Sequence, residues 1–507
     1  MSKFLYGAAV QGIQDFIFKT NELKHIVGAS ELVEQICTTA FNEFAKNGES
    51  VVRAAGNIKF IFEKEEDCAK AVREFPKKVM TMAPGITISQ AVTLLDDNFG
   101  DAVDKLEARL KNQRNKVPQS VTLGLMGIKR TNNTGLPVTS YEEKKEGKEQ
   151  KTYYYDDATS AKLGITDKGD ANPEERVWDL CEKSFGIEVR KKNVAYNISE
   201  ITDQNDWIAI IHADGNGLGR IIQKVGKKMG IYKEFSKKLD EATTVAAQKT
   251  FKRITEKYKI DENGFIPIRP IVLDGDDMTV IIRGNLAVDY ATFFMDEFEK
   301  ATKDKIGYIL KGNKELGSDV FESGEDYLTA CAGIAFIKSS FPFYYGYQLA
   351  EDLCGKAKKD TKALVGENAL PKSCLMFHKV QDSFITKYED IVTRELTADD
   401  GLSFKAGPYY YLHGEERINR YTIKNLTDYS DLLDNENGDG IKSGIRQWIT
   451  ARIDDANFAM QRKKRMQQVF KSGKSIVDDL TQEKNGVCIA YDVLAYHTIM
   501  NQKTNDK

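Results

Sequence analysis

Two carboxylate clusters each follow an apolar run. The first run, Trp207-Ile208-Ala209-Ile210-Ile211-His212-Ala213, ends in Asp214-Gly215-Asn216-Gly217-Leu218-Gly219. The second, Ile271-Val272-Leu273, ends in Asp274-Gly275-Asp276-Asp277 and resumes as Met278-Thr279-Val280-Ile281-Ile282. Each apolar run reads as a buried strand, and Gly-Asp-Asp sits where a hairpin turns. Carboxylates at the tips of core strands are costly to desolvate unless something positive neutralises them. Asp214, Asp276 and Asp277 together therefore point to a divalent cation, Mg²⁺ or Mn²⁺. Mg²⁺ prefers a few carboxylates plus substrate phosphates to an all-protein cage. The chemistry this suits is nucleotidyl transfer, in which two ions about 3.5–4 Å apart activate a 3′-hydroxyl and hold a leaving pyrophosphate.

On this reading Asp214, Asp276 and Asp277 are catalytic and ligate metal. The Gly215 carbonyl is a further ligand, because a glycine permits close backbone approach to an ion. Gly217-Leu218-Gly219 opens a helix whose free N–H groups and dipole suit a triphosphate. With Gly215 and Asn216, these residues are the candidate nucleotide site. A pair of Asp/Gly turns and a helix cap is the alternative reading, a closer rival for Asp214 alone than for the joint constellation. Asp274 admits three roles: ligand, turn former through an Asx-type bond, or base recognition. Asn216 is first a turn-shaping residue. His212 reads as a satisfied core histidine in preference to a ligand, and Arg220 is a lesser phosphate candidate.

The elements that must position these groups are legible in outline. Residues 4–11 form a strand, 29–46 a helix, 51–62 a hairpin around Gly56-Asn57, 64–81 a helix with acidic residues at its start, and 86–94 a strand. This β-α-β-β-α-β order is the ferredoxin-like unit, and 101–115 continues as an amphipathic helix. Residues 129–175 lose periodicity, with a mixed-charge tract at 142–151, and read as an exposed connector. From Trp207 the same order returns, larger. A strand ends at Asp214, helices follow at 218–228 and 235–257, and a hairpin spans 266–283. A helix at 288–302, a strand at 329–337, a helix at 345–359 and a strand at 374–380 complete the unit. The tail from about 385 is mainly helical around a Gly-rich turn at 436–440. The expected fold class is α+β, two ferredoxin-like units plus a mainly helical C-terminal domain, divided at 1–115, 116–200, 201–384 and 385–507.

At 507 residues several domains fit. No apolar run approaches the roughly 18–20 residues that span a bilayer, and the opening residues lack a signal-peptide apolar core. Seven cysteines at 37, 68, 181, 331, 354, 374 and 488 form no Cys-x-x-Cys pair. A cytoplasmic, reduced, zinc-free protein is expected. The net charge of −3 leaves nucleic-acid contacts to local basic patches.

These residues resemble a known family, the large polymerase/cyclase subunit of type III CRISPR effector complexes, which has two palm domains and often makes cyclic oligoadenylate. Val10-Gln11-Gly12-Ile13-Gln14-Asp15-Phe16-Ile17, followed by Val27-Gly28-Ala29-Ser30-Glu31-Leu32, looks like the first-palm opening of Cmr-type members. Ala213–Gly219 is similar to the metal and phosphate turn of the second palm. Asp274-Gly275-Asp276-Asp277 sits where the family carries Gly-Gly-Asp-Asp. Ala332-Gly333-Ile334-Ala335 and Ala350-Glu351-Asp352-Leu353 with Ala357-Lys358 resemble later palm elements that diguanylate cyclases share. The matches span about 4–380, discontinuously. No counterpart of the family's HD nuclease is expected, since the first-palm pattern starts within ten residues of Met1 and only five histidines are present. The zinc-binding cysteines are missing, with Thr134-Gly135-Leu136-Pro137 a candidate remnant of that segment. Asp274 replaces a Gly, and Asn216 stands where a second Asp is common.

The resemblance implies that Lys358 faces the triphosphate, where an ammonium neutralises developing charge. A solvated lysine face, shared with Lys356 and Lys359, is the alternative. The first palm has Gln11 and Gly12 in place of the strand-end Asp, and Ala54-Ala55-Gly56-Asn57 in place of the carboxylate hairpin. It should hold no catalytic metal. It either binds an acceptor nucleotide across a palm–palm interface, with Gly28 and Ser30 at a helix N-terminus as phosphate contacts, or is pure scaffold. Arg462-Lys463-Lys464-Arg465 reads as a solvated helix face before an RNA grip. Tyr153–Tyr155 and Tyr409–Tyr411 read as strand residues before base-stacking platforms. The expected activity is ATP conversion to a cyclic oligonucleotide messenger in antiviral defence, as a CRISPR-type subunit or a standalone synthase. A non-catalytic RNA- and protein-binding scaffold and a GTP-using diguanylate-cyclase-like enzyme are the alternatives. Expected partners are ATP, guide or target RNA with other type III subunits, and a second copy of the chain as a homodimer, without a membrane.

Overall fold

The computed structural model describes residues 3–20, 22–54, 56–95, 98–116, 126–146, 149–164, 178–186, 189–202, 206–261, 264–311, 319–322, 324–366, 369–381, 387–413, 418–434 and 438–501. The first unit runs β1 (Lys3–Gln11), α1 (Ile13–Phe18), α2 (Leu23–Gln35), β2 (Gly48–Ala54), β3 (Asn57–Phe62), α3 (Glu65–Met82), β4 (Thr87–Leu95) and α4 (Phe99–Arg114). Its antiparallel sheet has the order β2-β3-β1-β4, which is the ferredoxin-like arrangement. Glu65, Glu66 and Asp67 occupy the first turn of α3, where the helix dipole favours negative charge.

Two expectations in this half need correction. Helix α2 begins at Leu23, not at 29, so Gly28 and Ser30 lie in its interior and offer no free helix-start N–H groups. The expected connector is not featureless. Its mixed-charge tract forms an antiparallel hairpin, β5 (Ser140–Glu146) with β6 (Glu149–Tyr155), followed by helix α5 (Asp157–Leu163). Charged and polar residues at successive positions suit a largely exposed two-stranded ribbon, which an apolar-periodicity search does not register. Helix α5 is anchored where Lys162 Nζ donates to the Phe16 carbonyl at 2.6 Å. Residues 165–175 of that segment, Ala55 of the first-palm turn and 436–437 of the Gly-rich turn lie outside the described residues.

After α6 (Trp178–Phe185), the second unit repeats the plan. It contains β7 (Trp207–Gly215), α7 (Leu218–Val225), α8 (Met229–Tyr258), β8 (Ile268–Asp274), β9 (Asp277–Arg283), α9 (Ala287–Leu310), β10 (Ala330–Lys338), α10 (Phe343–Val365) and β11 (Cys374–Lys379). The tail supplies α11 (Tyr388–Glu395), a short β12 (Tyr409–Tyr410), α12 (Ile423–Asp431), α13 (Gly438–Asp454), α14 (Ala456–Val469), α15 (Lys474–Leu480) and α16 (Ala490–Met500). The sheet order is β12-β11-β10-β7-β9-β8, with β11 parallel to β10 and the other pairs antiparallel. The Gly-rich turn is corrected in its described part, because Gly438–Gly440 open α13.

The strand period of two decides where the chemistry sits. On β7, Ala209, Ile211 and Ala213 join the core under α8 and α9, while Ile208 and Ile210 join the first palm's core. His212 and Asp214 share the parity of Ile208 and Ile210, so they face the first palm. On β9, Ile281 marks the same face, and Asp277 and Thr279 follow its parity. Helix α10 lies on this face: a Cβ at Gly333 would stand 1.9 Å from the Ala350 carbonyl oxygen, so only glycine admits the helix. The palms are thus joined by a shared apolar core, and the carboxylates emerge at its rim. No helix among the described residues is long and apolar enough to cross a membrane.

Candidate active site at the palm–palm junction

The carboxylates meet because two strand ends are adjacent. The β7–β9 ladder pairs Ala213 with Met278, which brings Asp214 beside Asp277. Asp274 pairs with Asp277 across a two-residue turn, whose first central residue is Gly275 at φ +62°. Asp276, the second, leans over Gly215: a Cβ there would come within 2.9 Å of Asp276 Cβ and Oδ2. Gly215 is therefore glycine for steric reasons.

The charge balance is unfavourable. Burial, with Asp277 and Asp214 alongside, pushes Asp276 well above the usual carboxylate range. Burial and the Asp214 charge raise Asp277 to about 7. The cation that faces them is Lys358 on α10. Its Nζ pairs with Asp214 Oδ2 and donates to the Gly215 carbonyl at 2.8 Å. Oxygen donors on neighbouring strand ends, short of counter-charge, fit a hard divalent cation. His212, Asp214 and Asp277 each offer an atom within 4.8 Å of the others.

Two cavities meet at this point, both lined by Asp214 and Asp277. One, about 710 Å³, is walled by the 215–220 turn, Asp276, Lys358, Lys359, Lys362 and Pro371. Gly217 is at φ +77° as the N-cap of α7. The other, about 730 Å³, opens between the palms, where Gln11, Ser30, Glu34 and Asn57 face Lys183, Asp274 and Tyr347. Gln14 Nε2 closes one rim by donating to Tyr347 Oη and Glu351 Oε1, both at 3.0 Å.

Residues 207–365 match the family model for the Cas10/Cmr2 second palm domain. The chain thus resembles the large palm subunit of type III CRISPR effector complexes. The fold agrees with solved Csm1–Csm4 cassettes. The structure in complex with pppApA gives a TM-score of 0.57 at 12% identity, covering 99% of this chain and 70% of that one. The AMPPNP complex gives 0.57 at 13%, over 98% and 70%, and the cA3 complex 0.56 at 14%, over 98% and 69%. A comparison with curated proteins gives no match.

Within the Cas10/Cmr2-type second palm, Asp214, Gly215, Asn216, Gly217, Leu218, Gly219, Asp276, Asp277 and Lys358 line one pocket, and Arg220 joins them. Asn216 is 3% exposed, and its side-chain amide is committed to Thr329 Oγ1 at 3.0 Å. The Gly215 carbonyl, expected as a ligand, accepts from Lys358. Lys356 turns away and pairs with Glu389.

In the first palm Ser30 lines the inter-palm cavity, but its hydroxyl donates to the Ile271 carbonyl and stitches the palms together. Gly28 is corrected outright: a Cβ there would stand 1.9 Å from the Lys162 carbonyl oxygen, so it is a packing glycine against α5. His212 is a core histidine, as expected, with Nδ1 3.1 Å from Thr279 Oγ1 and burial lowering its pKa to about 4. One of its ring nitrogens also lies within 4.8 Å of carboxylate oxygens of Asp214 and Asp277. Asp274 is buried and lines the inter-palm cavity.

Other expectations fall on the quieter side. Of the two tyrosine triplets, Tyr155, Tyr409 and Tyr410 are buried, Tyr153 and Tyr411 are half-buried, and Tyr154 is exposed, against the expected strand burial. Arg462 donates to Gln447 at 2.7 Å and Lys463 pairs with Asp478 at 3.5 Å, so half of the basic run is engaged within the chain. Lys362, a turn beyond Lys358, escaped the sequence reading although its i+4 spacing signalled it. Lys183 and Thr329 escaped it as well, because no local pattern ties them to the site.

Proposed function

We propose that the chain is a metal-dependent nucleotidyltransferase that converts ATP into a cyclic oligonucleotide messenger, acting as the large palm subunit of a type III CRISPR-type assembly. The observation that carries this is the meeting of two cavities at Asp214 and Asp277, one cationic and one between the palms. The family match over 207–365 and the fold shared with Csm1 in cassettes with AMPPNP and cA3 support it.

In this reading residues 201–384 are the catalytic palm, 1–115 a palm without carboxylates, 116–200 a joining segment and 385–507 a helical domain. The donor triphosphate lies on the 215–220 turn, with Lys358, Lys359 and Lys362 neutralising its oxygens. Mg²⁺ or Mn²⁺, held by Asp214, Asp276 and Asp277, would lower the pKa of the acceptor 3′-hydroxyl and stabilise the leaving pyrophosphate. The acceptor nucleotide sits in the inter-palm cavity, so the hydroxyl meets the α-phosphate at the shared rim. Tyr347 and Gln14 close that rim against water.

The test is incubation with each NTP and Mg²⁺ or Mn²⁺, alone and with the assembled guide-RNA complex, followed by mass spectrometry. Cyclic or linear oligoadenylate with pyrophosphate supports the reading. GTP-derived product points to the diguanylate-cyclase-like alternative. No product under any condition leaves the scaffold.

A further inference from the structure

Two stretches distant in sequence, the 215–220 turn and the loop ahead of β11, wall the cationic cavity together. Thr329 binds both. It lies one residue beyond the last rung of the β7–β10 ladder, Gly215 with Ala330. Its carbonyl accepts from the Asn216 backbone N–H at 2.8 Å. Its hydroxyl accepts from the Asn216 side-chain amide at 3.0 Å and donates to the Pro371 carbonyl at 2.6 Å. One hydroxyl supplies a donor and acceptor lone pairs, so it serves both partners at once. Thr329 and Asn216 are each 3% exposed, which leaves little access for water to take the place of either bond. The loop is held from its far side too, where Ser373 Oγ accepts from Ala330 N–H at 3.2 Å and donates to Glu299 at 2.5 Å.

We propose that Thr329 is a positioning residue for triphosphate binding, its hydroxyl fixing the 215–220 turn against the Pro371 wall without touching the nucleotide. This rests on the reading of that turn as the phosphate site. The hydroxyl, not the bulk of the side chain, carries the role. Thr329→Val keeps the shape but removes the Thr329 hydroxyl from both the Asn216 amide and the Pro371 carbonyl, whereas Thr329→Ser retains both bonds.

The test measures affinity for a non-hydrolysable ATP analogue with Mg²⁺ by calorimetry, alongside kcat and KM in the active assembly. Thr329→Val should raise the dissociation constant and KM about tenfold, as expected for a buried hydrogen-bond pair left unmet. A kcat held within about threefold marks loss of ground-state positioning. Thr329→Ser should stay within about twofold of the unmodified chain by the same argument. If Thr329→Val does not fold by circular dichroism, Asn216→Ala cuts the same link from the other end and should give the same loss. Where both fold, their effects should be non-additive. Unimpaired analogue binding by Thr329→Val, or by Asn216→Ala in its place, overturns the inference alone, as does an equal loss in Thr329→Ser. An unmodified chain that binds no ATP analogue overturns the phosphate-site reading and this inference with it.

Discussion

Lys358 spans from α10 to the end of β7, pairing with the Asp214 carboxylate and donating to the Gly215 carbonyl at 2.8 Å. One ammonium thus touches a proposed metal ligand and the first residue of the proposed phosphate turn. In the proposed reaction it stands where negative charge would grow as pyrophosphate departs. Lys358→Met should lower kcat/KM by about 10²-fold, the scale for removing one preorganised electrostatic donor. Steady-state kinetics on ATP decide it, and a change under about threefold would remove Lys358 from the machinery.

The carboxylates raise a second expectation, in which stability and activity part company. Asp276 and Asp277 are pushed up by burial and by mutual repulsion with Asp214. Asp276→Asn/Asp277→Asn relieves that repulsion in the metal-free protein. The double variant should lose all oligonucleotide product and melt no lower than the unmodified chain, because functional carboxylate clusters are held at a cost in stability. A variant that still makes product would place the chemistry elsewhere.

Gly215→Ala probes the contact between the two strand ends. The added Cβ would come within 2.9 Å of Asp276 Cβ and Oδ2, so the turn must shift. Overpacking of this kind costs roughly 1–3 kcal/mol, and the displaced Asp276 should weaken Mn²⁺ binding as read by electron paramagnetic resonance. Unchanged Mn²⁺ affinity would show that Asp276 is not a ligand.

How much of this was legible in the sequence varies with the range of the interaction. Local patterns marked both ferredoxin-like units, the Asp276-Asp277 hairpin tip and the Gly217 helix start, since each is encoded within a few residues. Gly28 failed because its meaning is a contact with Lys162, more than a hundred residues away, and no local pattern separates a packing glycine from a phosphate-binding one. Thr329 was unreadable for the same reason. The 140–155 hairpin failed differently: its strands are largely exposed, so the apolar alternation that reveals a half-buried strand is missing.

His378 supplies a pH dependence outside the proposed site. Burial, with Lys405 nearby, lowers its pKa to about 3 from the ordinary 6.5. The folded chain holds it neutral between those values, while the unfolded chain protonates it, so stability is lost as pH falls from about 6.5 toward 3. His378→Gln removes this liability along with some packing against Tyr388. The stability gap between the unmodified chain and His378→Gln should therefore narrow on acidification from pH 7 to pH 4.5. Urea titrations at the two pH values measure it, and a gap that widens would mean the imidazole is charged in the fold.

The last prediction separates acceptor from donor. Transfer needs a 3′-hydroxyl within about 3–3.5 Å of the α-phosphate, and in the proposed reading the cationic cavity holds one triphosphate. The inter-palm cavity meets it at Asp214 and Asp277, which makes that cavity the proposed seat of the second nucleotide within one chain. Ser30 is a poor place to block that cavity, because its hydroxyl ties α2 to the Ile271 carbonyl and a bulky replacement would pry the palms apart. Asn57 is better: it is exposed, opens β3, and lines the same cavity. Asn57→Trp fills the space without entering a core. It should leave Mn²⁺ binding and the affinity for a single ATP analogue unchanged while cutting product by about 10²-fold, the scale on which misplacement of a reacting group acts. Normal product from a folded Asn57→Trp chain would exclude the inter-palm cavity as the acceptor site and move the acceptor to a second protomer.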